Sequence, residues 1–269
     1  MPRCPFDRTS AGKPQPRRSA AIDSGINLID TARAYTTADE DAHNERLIGD
    51  VLAARQEGNE VMVSTKGGHF RAGPTEWKND ARPAALRADL ERSLRALRRE
   101  TVDLYFLHWP DAEVPFAESV GALGELRAEG KIRAIGISNV DLSLLAAART
   151  VTTIDAVQNP YSACDGGDDQ LLLECERHGI AFMAYSPLQG WDPGKAAHSV
   201  LDIAARRGVS PQRLLLARLL HRSPALLPIS GAGRPQTATD SAAAAWLSLS
   251  ADELEALDAH AHGPREATA

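Results

Sequence analysis

A chain of 269 residues carrying a net charge of −6 presents no field that would draw it to nucleic acid or to an anionic membrane. Hydrophobic residues make up 43% and charged residues 25%, the make-up of a globular protein, and the length suits one α/β domain of barrel size, commonly ~250 residues. Cys4, Cys164 and Cys175 have no metal-motif spacing and cannot all pair, no apolar stretch reaches the length of a membrane helix, and Met1–Asp7 lacks the apolar core of an export signal, so the expectation is reduced thiols in the cytoplasm.

Residues 1–19 hold four prolines, many polar residues and no apolar run, and are expected to be irregular, with residues 20–269 forming the domain. From there short apolar runs alternate with helical patterns. Strands are predicted at 26–30, 60–65, 102–107, 132–137, 154–158, 180–185 and 225–229, rich in consecutive Val, Ile, Leu and Phe as where both faces are buried. Helices are predicted at 43–55, 83–98, 116–129, 141–149, 168–178, 196–207 and 211–222. Arg82-Pro83 and Ser210-Pro211 are start signals, and Glu129-Gly130 and His178-Gly179 stop signals. In the helix predicted at 83–98, Leu86, Leu90, Leu94 and Leu97 mark a buried side, which makes Arg92, Arg95, Arg98 and Arg99 a solvated face rather than a binding patch.

Strict alternation implies a parallel sheet. No Gly-x-Gly-x-x-Gly follows an early strand, against a doubly wound dinucleotide fold. Polar residues at the C-terminal ends of many strands favour a (β/α)8 barrel, where such ends converge on one mouth. Seven strands are counted; the one without a pattern is the first, so it is expected to be missing or replaced, and residues 17–25 read as the tail of the first helix.

Three segments end on chemistry. Gly25–Tyr35 stops its apolar run at Asp30, with Tyr35 five residues on; Val61–Thr65 runs into Lys66, and Val102–Leu107 into His108. An acid, a phenol, an amine and an imidazole are the parts needed to move a proton onto a carbonyl oxygen. Taken singly, Asp30 suits a helix cap, Tyr35 and His108 suit packed positions, and Lys66 suits solvent. His43, His69 and the acids show neither His-x-His nor His-Glu-x-x-His spacing, so no metal site is expected.

In that order, across roughly residues 20–258, these residues resemble the aldo-keto reductase family, whose catalytic tetrad is Asp, Tyr, Lys and His. The resemblance implies a (β/α)8 enzyme that reduces an aldehyde or ketone to an alcohol, a small-molecule substrate and a dinucleotide coenzyme. It makes Tyr35 the proton donor, Lys66 the cation beside it, Asp30 the partner of Lys66, and His108 the group that orients the carbonyl. It also implies coenzyme contacts. Ser138, Asn139 and Gln158 match the residues that bind the nicotinamide carboxamide, and Tyr185-Ser186-Pro187-Leu188, continuing to Gly190, the stacking aromatic and pyrophosphate segment. Ser230, Gly231, Arg234 and Asp240 match the adenosine 2′-phosphate segment. There the family's usual lysine falls on Gly231; Arg234 favours NADPH, and NADH stays open. Trp77, Trp109 and Trp191 lie in loops where they could wall the substrate pocket or simply pack. The blocks Thr65–Gly68 and Trp77–Pro83 look most like bacterial pyridoxal-reductase-type members. An alternative within the same fold is a nucleotide-bound regulatory protein with little turnover.

Overall fold

In the computed structural model, residues 16–261 are described apart from 38–39, 56–57, 59, 74–75, 195–197 and 232. The chain forms two compact units, Met1–Gln158 and Asn159–Ala269.

The first unit opens with helix α1, Pro16–Asp23. The tail of a helix expected before residue 25 is therefore there. It starts inside the segment expected to be irregular, of which residues 1–15 lie outside the described residues. Strands β1 (Leu28–Asp30) and β2 (Met62–Gly67) follow, with helix α2 (His43–Ala53) between them. A short antiparallel hairpin, β3 (His69–Arg71) and β4 (Trp77–Asn79), leads to α3 (Pro83–Leu97). Then come β5 (Val102–Leu107), α4 (Phe116–Ala128), β6 (Ile132–Ser138), α5 (Leu142–Val151) and β7 (Ala156–Ser162), which begins in this unit. The strands pair in parallel in the order β1-β2-β5-β6-β7.

The local reasons for these elements were largely visible in the residues. Pro83 opens α3, Asp141 caps α5 by accepting from the Leu144 amide at 2.8 Å, and Gly130 takes a φ of +75° after α4, which an L side chain rarely adopts. Leu86, Leu90, Leu94 and Leu97 are all buried, while Arg92, Arg95 and Arg98 are exposed. Arg99 departs from the solvated face. Its guanidinium bonds Asp103 at 2.7 Å and the carbonyls of Gly58 and Val61 at 3.0 and 2.7 Å. Asp103 in turn accepts the Val63 amide at 2.9 Å, and Asp155 takes the Ile135 amide at 2.8 Å. In both places a carboxylate supplies the acceptor that a strand amide would otherwise lack.

The second unit holds the end of β7 with the two-residue strand β8 (Gly166–Gly167), then α6 (Asp169–Arg177), β9 (Ala181–Tyr185), α7 (His198–Arg207), α8 (Pro211–Arg222), β10 (Leu226–Ile229), α9 (Pro235–Ala242) and α10 (Ala251–Ala261). Strands β9 and β10 are parallel, with Leu226 opposite Phe182 and Ile229 opposite Tyr185. Asp168 and Ser210 cap α6 and α8, accepting from Leu171 and Arg213 amides.

All seven expected strands are present, most with shifted ends; the strand expected at 154–158 runs to Ser162, because Tyr161 and Ser162 pair with β8 beyond its ladder with β6. The hairpin β3–β4 and helix α10 were not expected. Neither hairpin strand has a buried face: β3 is half-buried along its length and β4 exposed, so no alternating apolar pattern exists to read.

Candidate active site

Register builds the site in the first unit. Asp30 lies opposite Ser64 on β2, and side chains two apart on a strand share a face, so Lys66 projects on the side of Asp30. Lys66 is fully buried. Its Nζ donates to Asp30 Oδ2 at 2.6 Å, to the Thr31 carbonyl at 2.7 Å and, at 3.4 Å, to the Tyr35 hydroxyl. Three N–H groups thus meet three acceptors. Burial alone drives this ammonium toward its neutral form, but the Asp30 carboxylate and the Tyr35 oxygen outweigh it, and the pKa of Lys66 lies above the ordinary lysine value. The amine is a held cation.

Asp30 is itself fixed. Its Oδ1 accepts from Ser64 Oγ at 2.6 Å and from Gln158 Nε2 at 3.1 Å. The loop that carries Tyr35 is anchored by Arg33, whose Nη1 lies 2.6 Å from the buried Asp89 on α3; Asp89 also accepts the Gly68 amide at 3.0 Å. His108 follows β5 and its amide donates to the Gly67 carbonyl at 3.0 Å. Its ring stands perpendicular to that of Tyr35, with centroids 6.0 Å apart. Burial, with the Lys66 and His69 charges adding to it, pushes His108 well below the ordinary imidazole range. The imidazole is neutral. Nδ1 is sealed from solvent, with no hydrogen-bond partner among the described residues.

The tetrad residues expected from the sequence therefore come together. Ser138, Asn139 and Gln158 join them: Ser138 Oγ donates to the Gln158 carbonyl at 2.7 Å, and Asn139 Nδ2 bonds the His108 carbonyl at 2.9 Å and Ser138 Oγ at 3.0 Å. Asn139 sits at a φ of +60°, the left-handed region that asparagine tolerates better than most residues. Trp77 and Trp109 gather on His69, which stacks on Trp77 at 5.3 Å and lies 6.2 Å from Trp109.

In the second unit, Tyr185 ends β9 and Ser186 follows at a φ of +52°. The Pro187 carbonyl accepts the Ala163 amide at 2.9 Å, the Leu188 carbonyl accepts the Trp191 amide at 3.1 Å, and the Gln189 carbonyl accepts from Ser162 Oγ at 2.5 Å. Gly190 sits at a φ of +79°, the left-handed region that L side chains rarely adopt, so glycine suits that turn. Arg234 is exposed at the N-cap of α9, with no side-chain cap on that helix. Ser230 is half-buried and Gly231 exposed. Asp240, expected beside the coenzyme, is held by Arg213, Nε at 2.9 Å and Nη2 at 2.5 Å, and by the Ser210 hydroxyl. Trp191 is half-buried, its Nε1 sealed with no hydrogen-bond partner among the described residues.

The sequence pattern of the Aldo/keto reductase family matches residues 15–262. The chain belongs to that family. As an aldo/keto reductase it is an oxidoreductase of carbonyl groups, and its fold class is the (β/α)8 barrel. Pyridoxine 4-dehydrogenase of Escherichia coli is 31% identical over 246 residues, covering 88% of this chain and 83% of that one. The NADH-specific methylglyoxal reductase of the same organism is 30% identical over 267 residues, 84% of this chain and 80% of that one. Among solved structures, an aldo-keto reductase of Klebsiella pneumoniae in complex with NADPH is 31% identical with a TM-score of 0.78, covering 93% of this chain and 84% of that one.

Two parts of this aldo/keto reductase's site were missed in the sequence. The Arg33–Asp89 tie joins positions 56 residues apart, and nothing local announces it. His69 was weighed only as a metal ligand, although its spacing to Trp77 across a short polar turn was the available signal.

Proposed function

We propose that this aldo/keto reductase reduces an aldehyde or ketone to the alcohol with NADPH, Tyr35 giving the proton to the carbonyl oxygen. The observation that carries this reading is the hydrogen bond from the buried Lys66 ammonium to the Tyr35 hydroxyl. A phenol that gives up its proton becomes an anion, and a fixed cation at that oxygen stabilises it as the charge develops. Asp30 keeps the cation in place against the cost of burial. His108, neutral, keeps its one proton off the sealed Nδ1, because a bare nitrogen there leaves no buried N–H unpaired. Nε2–H then donates to the carbonyl oxygen and sets its angle.

The donor set fits the coenzyme. Gln158 commits its Nε2 to Asp30, which leaves Oε1 as an acceptor suited to the N–H of a carboxamide, with Ser138 and Asn139 bracing it. In the second unit, Tyr185 is the aromatic for stacking, and Ser186–Leu188 and Gly190 shape the pyrophosphate segment. Exposed Arg234 at an uncapped helix start suits a phosphate monoester and favours NADPH over NADH, with Ser230 and Gly231 beside it in the chain. Asp240 acts through Arg213 instead. When bound, the dihydronicotinamide supplies the hydride that the carbonyl carbon takes. Trp77 and Trp109 wall the substrate side.

The test supplies NADPH carrying deuterium on the reactive face of its nicotinamide ring, together with butanal. Deuterium on the alcohol carbon, appearing only with enzyme present, supports the reading; coenzyme binding with no label transfer to any of a panel of aldehydes would favour a regulatory role.

A further inference from the structure

The hairpin β3–β4 presents His69, Arg71, Trp77 and Asn79 on one face, since these alternate along the two strands and pair His69 with Asn79 and Arg71 with Trp77. On that face His69 stacks on Trp77, rings within 6° of parallel, and Arg71 covers Trp77 at 5.8 Å. His69 also meets the site: its ring stands edge-on to His108, centroids 5.1 Å apart. A wall that merely packed would be served by phenylalanine. An imidazole adds two nitrogens, and here their roles are fixed. Asn79 Nδ2 donates to the Pro110 carbonyl at 3.3 Å, and a carbonyl only accepts, so the amide oxygen of Asn79 is the atom facing His69. That oxygen lies 2.7 Å from His69 Nδ1, which must therefore carry the proton. Nε2 is left as a lone pair with no partner among the described residues, and burial, which lowers the pKa of His69, keeps it so.

We infer that His69 is a specificity-determining residue: its Nε2 accepts a hydrogen bond from a substrate hydroxyl one or two carbons from the carbonyl, so the enzyme favours hydroxyaldehydes and hydroxyketones over their deoxy counterparts. The inference rests on the carbonyl-reductase reading above. The two imidazoles stand 5.1 Å apart, so groups hydrogen-bonded to both belong to the same short stretch of substrate, a hydroxyl near the carbonyl rather than at the far end of a long chain.

The experiment compares kcat/KM for butanal, 2-hydroxybutanal and 3-hydroxybutanal in the parent enzyme, in His69→Phe, which keeps a stacking ring without the acceptor, and in His69→Gln, which can restore one. The parent should prefer at least one hydroxylated substrate about three- to tenfold, the range of one neutral hydrogen bond. His69→Phe should bring that ratio to about one, and His69→Gln should recover part of it. Ratios within one protein cancel any general loss of activity. Equal rates on all three aldehydes in the parent, or a preference that survives in His69→Phe, overturns the role of His69 and leaves the reductase reading standing. A parent that reduces none of them overturns that reading and this inference with it.

Discussion

His108 and His69 are both pushed below the ordinary imidazole range, His108 the further, by burial first and then, for His108, by the Lys66 and His69 charges. A histidine whose folded pKa is depressed binds fewer protons folded than unfolded between the two values. Its contribution is intact above about pH 6.5, the unfolded value, and is lost as pH falls below it. Glu45 and Asp89, pushed up by burial, act in the opposite sense, since the folded chain holds their protons longer. The clean readout is therefore a difference: the fall in melting temperature from about pH 7.5 to 5.5 should be steeper in the parent than in His108→Gln. Parallel falls would mean the imidazole is not held neutral. These environments were only partly legible from sequence. Asp30, Tyr35, Lys66 and His108 stand out because polar groups end apolar runs, which core packing does not explain. Which nitrogen of His69 carries its proton depends on Asn79 and Pro110, and no spacing rule reaches that far.

Between elements, Gly49 on α2 packs directly against the backbone of α3. A Cβ there would lie 2.6 Å from the Ala96 carbonyl oxygen and 3.0 Å from the Leu97 backbone, both on α3, and backbone cannot swing aside. Gly49→Ala should cost ~1–3 kcal/mol in a denaturant titration, although alanine is the better helix former by about 0.5–1 kcal/mol. Gly121 on α4 is the control. Its Cβ would meet only Val151 Cγ1, at 3.9 Å, so Gly121→Ala should be neutral or stabilising by the propensity term. A harmless Gly49→Ala would mean α2 and α3 are free to separate. At this scale the sequence was informative wherever an element buries a face or carries its own cap, as in α3 with its leucines and α6 with Asp168. It was silent on β3 and β4. They are held by cross-strand contacts of aromatic, cationic and amide groups, for which three-residue strands offer no periodicity.

For the molecule as a whole, strict alternation of strand and helix implied a parallel sheet, and polar residues at the C-terminal ends of many strands singled out the barrel, where those ends converge on one mouth. The substrate was not legible, since one scaffold serves many reactions. Ahead of β1 the described chain has the helix read from residues 17–25, and the segment where the first strand was expected to be missing, before Pro16, lies outside the described residues. The central claim, that Lys66 and Tyr35 together deliver a proton to a carbonyl oxygen, involves the chain's whole purpose and reduces to one atom. Tyr35→Phe removes that oxygen and keeps the ring beneath Lys66 Nζ, 4.9 Å from its centroid. The decisive measurement pairs coenzyme affinity, by fluorescence titration, with turnover of one good aldehyde in parent and variant. Affinity should hold while turnover falls roughly 10²–10⁴-fold, the range general acid catalysis supplies. A Tyr35→Phe enzyme that turns over at the parent rate would contradict the account.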